Sequence, residues 1–267
     1  MKIGVLLKQV PASDSRIKIN GDQTGIVTDD IKWEINPYDE FALEAGIQLV
    51  EAKIASSLVL ISLGGKDAEA RIKDGIARGV KAKPEAIRLD DAAFAGSDPL
   101  GEARIIAAAI KKAGVVLLLT GKQTIDDDNG QVPAMIAELL DLPQVTLVEK
   151  LEVSGDSLIA HRAMGSGQID VVKSPVNAVV TCDKGLNSPR FASLPGIMKA
   201  KRAKIAVWGA ADLGLDASTV GAGAAVVTEG AYRLPAERPS GKIIEGADAA
   251  AKVKELVRLL RDEAKVL

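Results

Sequence analysis

The sequence predicts an α/β fold with a doubly wound, mostly parallel sheet. Short apolar runs alternate with amphipathic helical segments over residues 1–142, and this alternation is typical of βαβ units. Most of the runs are apolar at consecutive positions, as strands are when a parallel sheet buries both of their faces. Beyond residue 142 the strands become short and alternate in polarity, which indicates antiparallel additions to the same domain.

Proline, glycine and the apolar runs set the limits of the first elements. Asn36-Pro37 starts the first helix, because proline suits the first helical turn, and Glu44 and Glu51 are expected to face solvent. Gly79 and Gly114 end the second and third helices, since glycine favours the position that follows a helix. The predicted strands are Ile3–Leu7, Ser57–Leu63, Ala86–Leu89 and Val115–Leu119, and the later helices cover residues 67–78, 99–113 and 133–140.

The second part of the chain is less regular. A parallel sheet binds ligands beyond the carboxyl ends of its strands, so loops 8–16, 62–67, 90–98 and 120–132 are the candidate site loops. Residues 184–245 are rich in Pro, Gly, Ala and Lys and are expected to be mostly irregular, which suggests a functional or partner-bound segment. The remaining predictions are short strands at Val145–Leu151, Ser157–Arg162, Ile169–Lys173 and Ala178–Thr181, and a final helix at Ala247–Lys265.

Composition narrows the class of protein. The net charge of −2 over 267 residues argues against a broad nucleic-acid surface. The one cysteine, Cys182, excludes an internal disulfide and suits a reducing compartment. The apolar residues before Lys8 are too few for a signal peptide, and no apolar stretch approaches the roughly 20 residues of a membrane-spanning helix. We therefore expect a cytoplasmic protein that does not insert into membranes.

The loop that precedes the fourth predicted helix is the first candidate site. It reads Thr120-Gly121-Lys122-Gln123-Thr124-Ile125-Asp126-Asp127-Asp128-Asn129-Gly130-Gln131-Val132-Pro133. Pro133 places the helix start just after Gly130 or Gln131, and free backbone N–H groups at a helix start bind phosphate. Capping of the helix by Asp126–Asp128 is the structural alternative, and a metal site on these carboxylates is a weaker one.

Other residues of chemical interest have simpler interpretations. Residues 62–67 lack the GxGxxG pattern, so a tight turn is the first interpretation and a backbone contact to adenine or ribose the second. His161, the only histidine, has no carboxylate or nucleophile nearby in sequence, and Cys182 is expected to pack rather than react. These residues offer little basis for a hydrolytic triad.

Residues 183–201 form the second candidate site. Leu194, Ile197 and Met198 lie among Pro, Gly and basic residues, where no regular element is expected. Leu194-Pro195 is interpreted as an exposed apolar group on a stiffened loop that enters a partner's pocket. The alternative is a loop packed on its own domain.

The chain resembles the β subunits of electron transfer flavoproteins. The resemblance runs through most of residues 5–201 and is most specific in the last of five stretches. These are Val5–Pro11 (VLLKQVP), Asn36–Leu43 (NPYDEFAL), Gly121–Asp128 (GKQTIDDD), Leu142–Thr146 (LPQVT) and Ala178–Lys201 (AVVTCDKGLNSPRFASLPGIMKAK).

The resemblance implies a Rossmann-like domain of the adenine-nucleotide-binding type at residues 1–190. It further implies that residues 191–267 hold a partner-recognition loop and an extended C-terminal arm around an α subunit. That α subunit holds the redox FAD, and the dimer takes electrons from acyl-CoA or related dehydrogenases and passes them to a quinone oxidoreductase or another acceptor. The β subunit itself buries an AMP with a structural role.

Site residues are implied by position. The implied nucleotide contacts are Leu6, Asn36, Pro37, Tyr38, Asp39, Leu63, Gly121, Lys122, Gln123, Thr124, Asp127, Asp128, Asn129, Gly130, Gln131 and Val132. The implied recognition residues are Phe191, Leu194, Pro195, Ile197, Met198 and Lys199, with Leu194 as the anchor. No catalytic or metal-binding residue is implied.

Two departures from the family's pattern bear on the nucleotide. Ordinary relatives commonly read DDDxNQTGQM where this chain reads DDDNGQVPAM, whereas electron-bifurcating relatives, which hold a second FAD, commonly read DGDTAQVGP. Gln131-Val132 is similar to the bifurcating pattern, but Asp127 replaces its glycine and would repel a larger dinucleotide. The resemblance favours AMP, with a bifurcating subunit that accepts electrons from NADH as the alternative. A stand-alone adenine-nucleotide-binding protein or hydrolase is a third possibility from another class.

Overall fold

The computed structural model describes residues 1–238 and 240–267. These residues form two units, one of residues 1–18 with 26–230 and one of residues 19–25 with 231–267. The first unit contains the strands β1 (Lys2–Leu6), β2 (Gln9–Pro11), β3 (Trp33–Ile35), β4 (Ser57–Leu63), β5 (Glu85–Leu89), β6 (Leu117–Gly121), β7 (Gln144–Ser154), β8 (Ser157–Gly165), β9 (Gln168–Pro175), β10 (Val179–Cys182) and β11 (Ala206–Trp208).

Nine of these strands form one sheet, in the order β11-β5-β4-β1-β6-β10-β7-β8-β9. All neighbours from β11 to β7 pair in parallel, and β8 and β9 add to the edge as antiparallel strands. The predicted α/β fold with a mostly parallel sheet is therefore confirmed. The order reverses at β1, which lies between β4 and β6, so the carboxyl ends of β1 and β6 border the switch point where such sheets bind ligands.

Six α-helices belong to the first unit. Their bounds are α1 (Pro37–Glu51), α2 (Glu69–Arg78), α3 (Pro99–Ala113), α4 (Val132–Leu139), α5 (Leu194–Lys201) and α6 (Ala210–Leu213). Proline occupies the first turn of α1, α3, α4 and α5. Gly114 follows α3 with φ of 67°, a left-handed conformation that glycine adopts without the steric cost of a Cβ.

The helices cover both faces of the sheet. Leu58 and Leu60 of β4 pack with side chains of α1 and α2 in one apolar cluster. Val59 and Ile61 point the other way and pack with side chains of α3 and α4 in a second cluster. Successive residues of a strand face opposite sides of a sheet, and this explains why the predicted strands are apolar at most consecutive positions.

Two predictions about the later chain are wrong. Ala178–Thr181 was expected to be an antiparallel addition, yet β10 lies inside the parallel sheet between β6 and β7. The prediction that residues 184–245 are mostly irregular is confirmed for the described residues, although the segment contains α5, β11, α6 and a short 3-10 turn. Leu194-Pro195 is predicted to lie on a loop, but it belongs to α5. Ser193 caps α5 by accepting a hydrogen bond from the Gly196 amide at 3.2 Å, so Leu194 and Pro195 begin a helix.

The prediction for Glu44 is also wrong. Its place on α1 suggested solvent exposure, but Glu44 is only 3% exposed. The cause is Arg190, whose guanidinium lies on the Glu44 carboxylate.

The second unit contains the C-terminal helix. The Tyr232 amide donates to the Gln23 carbonyl at 2.9 Å, which joins the two segments of this unit. Helix α7 (Ala249–Arg258) is capped by Asp248, which accepts from the Ala251 amide at 2.8 Å, and a short π-helical segment follows at Leu259–Glu263. The predicted final helix is thus confirmed, although it is shorter than expected. Among the described residues, no helix combines the length and the apolarity that crossing a membrane requires.

Candidate functional site

A cavity opens beyond the carboxyl ends of β1, β4 and β6. Together with its open mouth it encloses about 790 Å³. One wall is the loop between β6 and α4, and the opposite wall is the first turns of α3. The predicted site residues that line it are Leu6, Asp39, Leu63, Gly121, Gln123, Thr124, Asp127, Asn129, Gly130, Gln131 and Val132.

Asp39 joins the elements at the base of this cavity. Its buried carboxylate accepts from the Lys8 amide at 2.8 Å, from Asn36 Nδ2 at 2.9 Å and from the Gly121 amide at 3.1 Å. These donors belong to the end of β1, the start of α1 and the end of β6. Burial raises the pKa of Asp39 to about 7, while the donors act in the opposite direction.

Gly121 leaves the space that this arrangement needs. A Cβ at position 121 would overlap Asp39 Oδ1 and would lie 2.8 Å from Tyr38 Cβ. Only a residue without a side chain allows β6 to approach the start of α1 this closely.

Lys8 is the cationic residue of the cavity wall; it begins the candidate loop 8–16, but no sequence argument singled it out. Its ammonium lies 2.9 Å from Asp126 and 3.1 Å from Asp127, and it donates to Thr124 Oγ1 at 3.3 Å. Burial lowers the pKa of Lys8, but the two carboxylates raise it and prevail, so the net direction is upward. Its position at the carboxyl end of β1 is the signal that could have identified it.

The start of α4 supports the phosphate interpretation over capping by the aspartates. The N-cap residue is Gln131, and no side chain among the described residues caps this helix. Asp126 and Asp127 instead pair with Lys8. Gly130 turns the chain with φ of 61°, and Gly130, Gln131 and Val132 all line the cavity. Backbone N–H groups at a helix start, with the helix dipole behind them, attract an anion.

Helix α3 contributes a carboxylate that no motif predicted. Glu102 lines the cavity together with Pro99 and Ile106. Burial raises the pKa of Glu102, and Lys8 partly offsets this. The spacing of these residues places them on one helix face, but no motif marks this face as the border of a cavity.

Five predicted nucleotide residues are not part of the cavity wall in the described structure: Asn36, Pro37, Tyr38, Lys122 and Asp128. Asn36 supports the wall from behind, since its Nδ2 donates to the Gln123 carbonyl at 2.9 Å and its Oδ1 accepts from the Ile125 amide at 3.2 Å. Lys122 lies 4.8 Å from the centre of the Tyr38 ring and 2.9 Å from Asp183. Pro37 begins α1, and Asp128 accepts from Gln123 Nε2 at 2.7 Å.

The second candidate site is an exposed apolar surface that helix α5 forms together with Phe191. Phe191 is 92% exposed and Leu194 is 74% exposed, values that are high for such large apolar side chains. We call this the recognition surface, and its members are Phe191, Leu194, Pro195, Ile197, Met198 and Lys199, all exposed.

Neither His161 nor Cys182 belongs to the cavity wall or to the recognition surface. His161 pairs with Lys150 and Val171 in the antiparallel part of the sheet. Cys182 is fully buried in β10, and burial raises the pKa of its thiol, which favours the unreactive protonated form.

Comparison with known proteins identifies the family. A family model described as the electron transfer flavoprotein domain matches residues 24–213. The chain belongs to the electron transfer flavoprotein β-subunit family. It is 35% identical over 268 residues to the electron transfer flavoprotein subunit beta of Bacillus subtilis (strain 168), covering 100% of both chains. It is 34% identical to the Homo sapiens subunit beta, over 97% of this chain and 99% of that protein.

A third relative supports the same family. The electron transfer flavoprotein subunit beta of Thermoanaerobacterium thermosaccharolyticum is 36% identical, over 97% of this chain and 96% of that protein. Membership places the chain in flavin-associated electron transfer, in the role of the β subunit that pairs with an α subunit.

Proposed function

We propose that this chain is the β subunit of a cytoplasmic, heterodimeric electron transfer flavoprotein that binds AMP in the cavity and docks dehydrogenases. Electrons would pass through an FAD held by the α subunit. The proposal that the chain binds AMP rests on the cavity at the switch point of the sheet, which the start of α4 borders. Such a position binds a phosphate through backbone N–H groups.

The residues present fit an adenylate. Gly130, Gln131 and Val132 would hold the phosphate, with Lys8 as the nearest cationic side chain. Leu6, Leu63 and Ile106 offer apolar wall to the base, as expected for a ligand held with little help from aromatic stacking. AMP would supply no redox chemistry, and its contribution would be to join the ends of β1 and β6 with α4.

The Asp127 side chain supports AMP over a second FAD. Asp127 lines the cavity, and Lys8 is already paired with Asp126 and Asp127. The phosphates of AMP and FAD carry about the same negative charge near neutral pH, so the difference is one of size: a dinucleotide has to extend past the Asp127 carboxylate, whereas AMP does not.

The proposed contacts with partner proteins involve the recognition surface and the C-terminal arm. We propose that Leu194 enters a pocket of an acyl-CoA or related dehydrogenase, because exposed apolar residues on a rigid helix suit such anchoring. Residues 191–267 would also contact the α subunit, since Val253, Leu256 and Val257 share one exposed face of α7. A quinone oxidoreductase or another acceptor would take the electrons onward.

The docking proposal is tested by Leu194→Ala in the α–β complex. The KM of the dehydrogenase for the complex should rise about tenfold or more, as for a central interface anchor, while flavin content stays unchanged. Met164→Ala is the matched control, because Met164 is an exposed apolar residue of β8. An unchanged KM in Leu194→Ala would remove the anchor assignment.

A second candidate is the bifurcating β subunit, which Gln131-Val132 favours by resemblance. Such a subunit would hold a second FAD in the cavity and accept electrons from NADH. Anaerobic addition of NADH separates the candidates: bleaching of flavin absorbance supports bifurcation, and an unchanged spectrum supports the AMP form.

A further inference from the structure

Arg190 connects the recognition surface to helix α1 through two carboxylates. Its Nε and Nη2 donate to Glu44 at 2.8 and 2.9 Å, and its Nη1 and Nη2 donate to Glu51 at 2.8 and 3.1 Å. The guanidinium therefore holds both carboxylates in a forked geometry, the strongest form of this ion pair. Arg190 directly precedes Phe191, the first residue of the recognition surface.

Burial makes this ion pair obligatory. The Glu44 side chain is 4% exposed, and a buried carboxylate is very costly unless it is paired. Gln48 also donates to Glu44 at 2.7 Å, but Arg190 supplies its positive partner. Glu51 is more exposed, and its hydrogen bonds from Arg190 lower its pKa, so it stays ionised near neutral pH.

Two further contacts fix the chain on either side of Arg190. Asn187 Nδ2 donates to the Phe41 carbonyl of α1 at 2.9 Å. Gly196 lies so close to the end of α2 that a Cβ there would overlap the Ala77 carbonyl oxygen. Residues 187–196 are therefore attached to α1 and α2, while Phe191 and Leu194 remain exposed between these attachments.

We propose that Arg190 is a positioning residue that, through Glu44 and Glu51, holds the recognition surface in its docking-competent conformation before a partner arrives. This rests on the proposed docking function of α5. A surface that is already ordered does not spend binding free energy on ordering at the moment of docking. If only a fraction of molecules is competent, the apparent affinity falls by that fraction.

Arginine is required because one guanidinium serves two carboxylates. A lysine at this position carries the same charge but lacks the planar fork. Arg190→Lys therefore keeps a cation near the buried Glu44 while losing the paired hydrogen bonds. Glu51→Gln is a second variant that leaves the Glu44 pair in place and removes only the more exposed partner.

The test uses the complete α–β complex and two measurements. Hydrogen exchange of amides 191–201 should accelerate about tenfold in Arg190→Lys, as in a segment whose open state is more populated, and less in Glu51→Gln. The KM of an acyl-CoA dehydrogenase for the complex should rise about tenfold in Arg190→Lys, because fewer molecules are competent, while kcat stays within about twofold. Glu152→Gln is the control, since Glu152 pairs with Lys150 on the exposed antiparallel strands.

Comparison with Leu194→Ala separates failure of this proposal from failure of the docking function. A raised KM in Leu194→Ala with unchanged exchange and KM in Arg190→Lys would overturn the positioning role alone. An unchanged KM in Leu194→Ala would instead refute the docking function on which the proposal rests. Faster exchange in Arg190→Lys without a change in KM would also overturn the proposal, because ordering would then have no bearing on docking.

Discussion

At the scale of single residues, Asp39 and Gly121 depend on each other. The Asp39 carboxylate satisfies N–H groups from β1, α1 and β6, and this is possible because residue 121 has no side chain. A buried acceptor with this many donors stabilises the loop ends that border the cavity, whereas an unsatisfied donor there would cost about 1–3 kcal/mol.

Gly121→Ala tests this dependence. The added methyl group has to displace Asp39 or Tyr38, so we expect a loss of about 1–3 kcal/mol in the free energy of unfolding and a lower nucleotide content. Thermal unfolding and the ratio of nucleotide to protein check the result.

Gly65→Ala is the matched control for this substitution. Gly65 also lies in a strand-to-helix turn, but its Cβ would meet nothing within 4 Å and its φ of −66° suits alanine. Equal effects of the two substitutions would contradict the specific role assigned to Gly121.

The structural role of a residue was predictable from the sequence where it depends only on the local backbone. Gly130 is expected to let the backbone approach a phosphate closely, whereas Gly121 is assigned by position in the family. Glu44 was assigned to the wrong environment because helical periodicity contains no information about Arg190, which is 146 residues away. Tyr38 and Lys122 were assigned to the nucleotide by position in the family, but the Lys122 ammonium lies over the Tyr38 ring and pairs with Asp183.

At the scale of elements, the loop before α4 is held by an ion pair to the end of β1. Lys8 contacts Asp126 and Asp127 across 118 and 119 residues of sequence. The pair is partly exposed, with 37% exposure for the Lys8 side chain, so its contribution to overall stability is small. Its larger effect is on the charge next to the cavity.

Lys8→Met removes this cation at nearly constant length. Asp126 and Asp127 would then face a bound phosphate without neutralisation, and we expect the Kd for AMP to rise about tenfold at low salt, with a smaller effect at high salt. Calorimetric titration of nucleotide-depleted protein with AMP measures this Kd at low and at high salt. Lys150→Met, which removes an exposed pair with Glu152, should bind AMP like the unmodified protein; an unaltered Kd in Lys8→Met would contradict the role of Lys8.

Element boundaries were predictable from Pro and Gly but not everywhere. The start of α1 and both ends of α3 were predicted correctly because Pro37, Pro99 and Gly114 mark them. Helix α5 was missed although Pro195 lies in its first turn and Ser193 caps it, because the Pro, Gly and basic residues of this segment were interpreted as excluding a regular element. The exposed apolar face of α5 supports the proposed recognition surface.

At the scale of the whole molecule, the cavity is a product of strand order. Leu6, Leu63 and Gly121 are distant in sequence and meet because β4, β1 and β6 are neighbours in the sheet. Alternation of strands and helices was sufficient to predict their carboxyl ends as the site. The direction of β10 was not predictable, because a strand of four residues gives no periodicity from which to distinguish parallel from antiparallel pairing.

The nucleotide content of the assembled protein tests the central claim most directly. The purified α–β complex is denatured by heat, and the released nucleotides are separated, identified by mass and quantified. If the cavity binds an adenylate at the start of α4, each complex should release about one AMP and about one FAD. Two FAD without AMP, or one FAD with no second nucleotide at all, would contradict it.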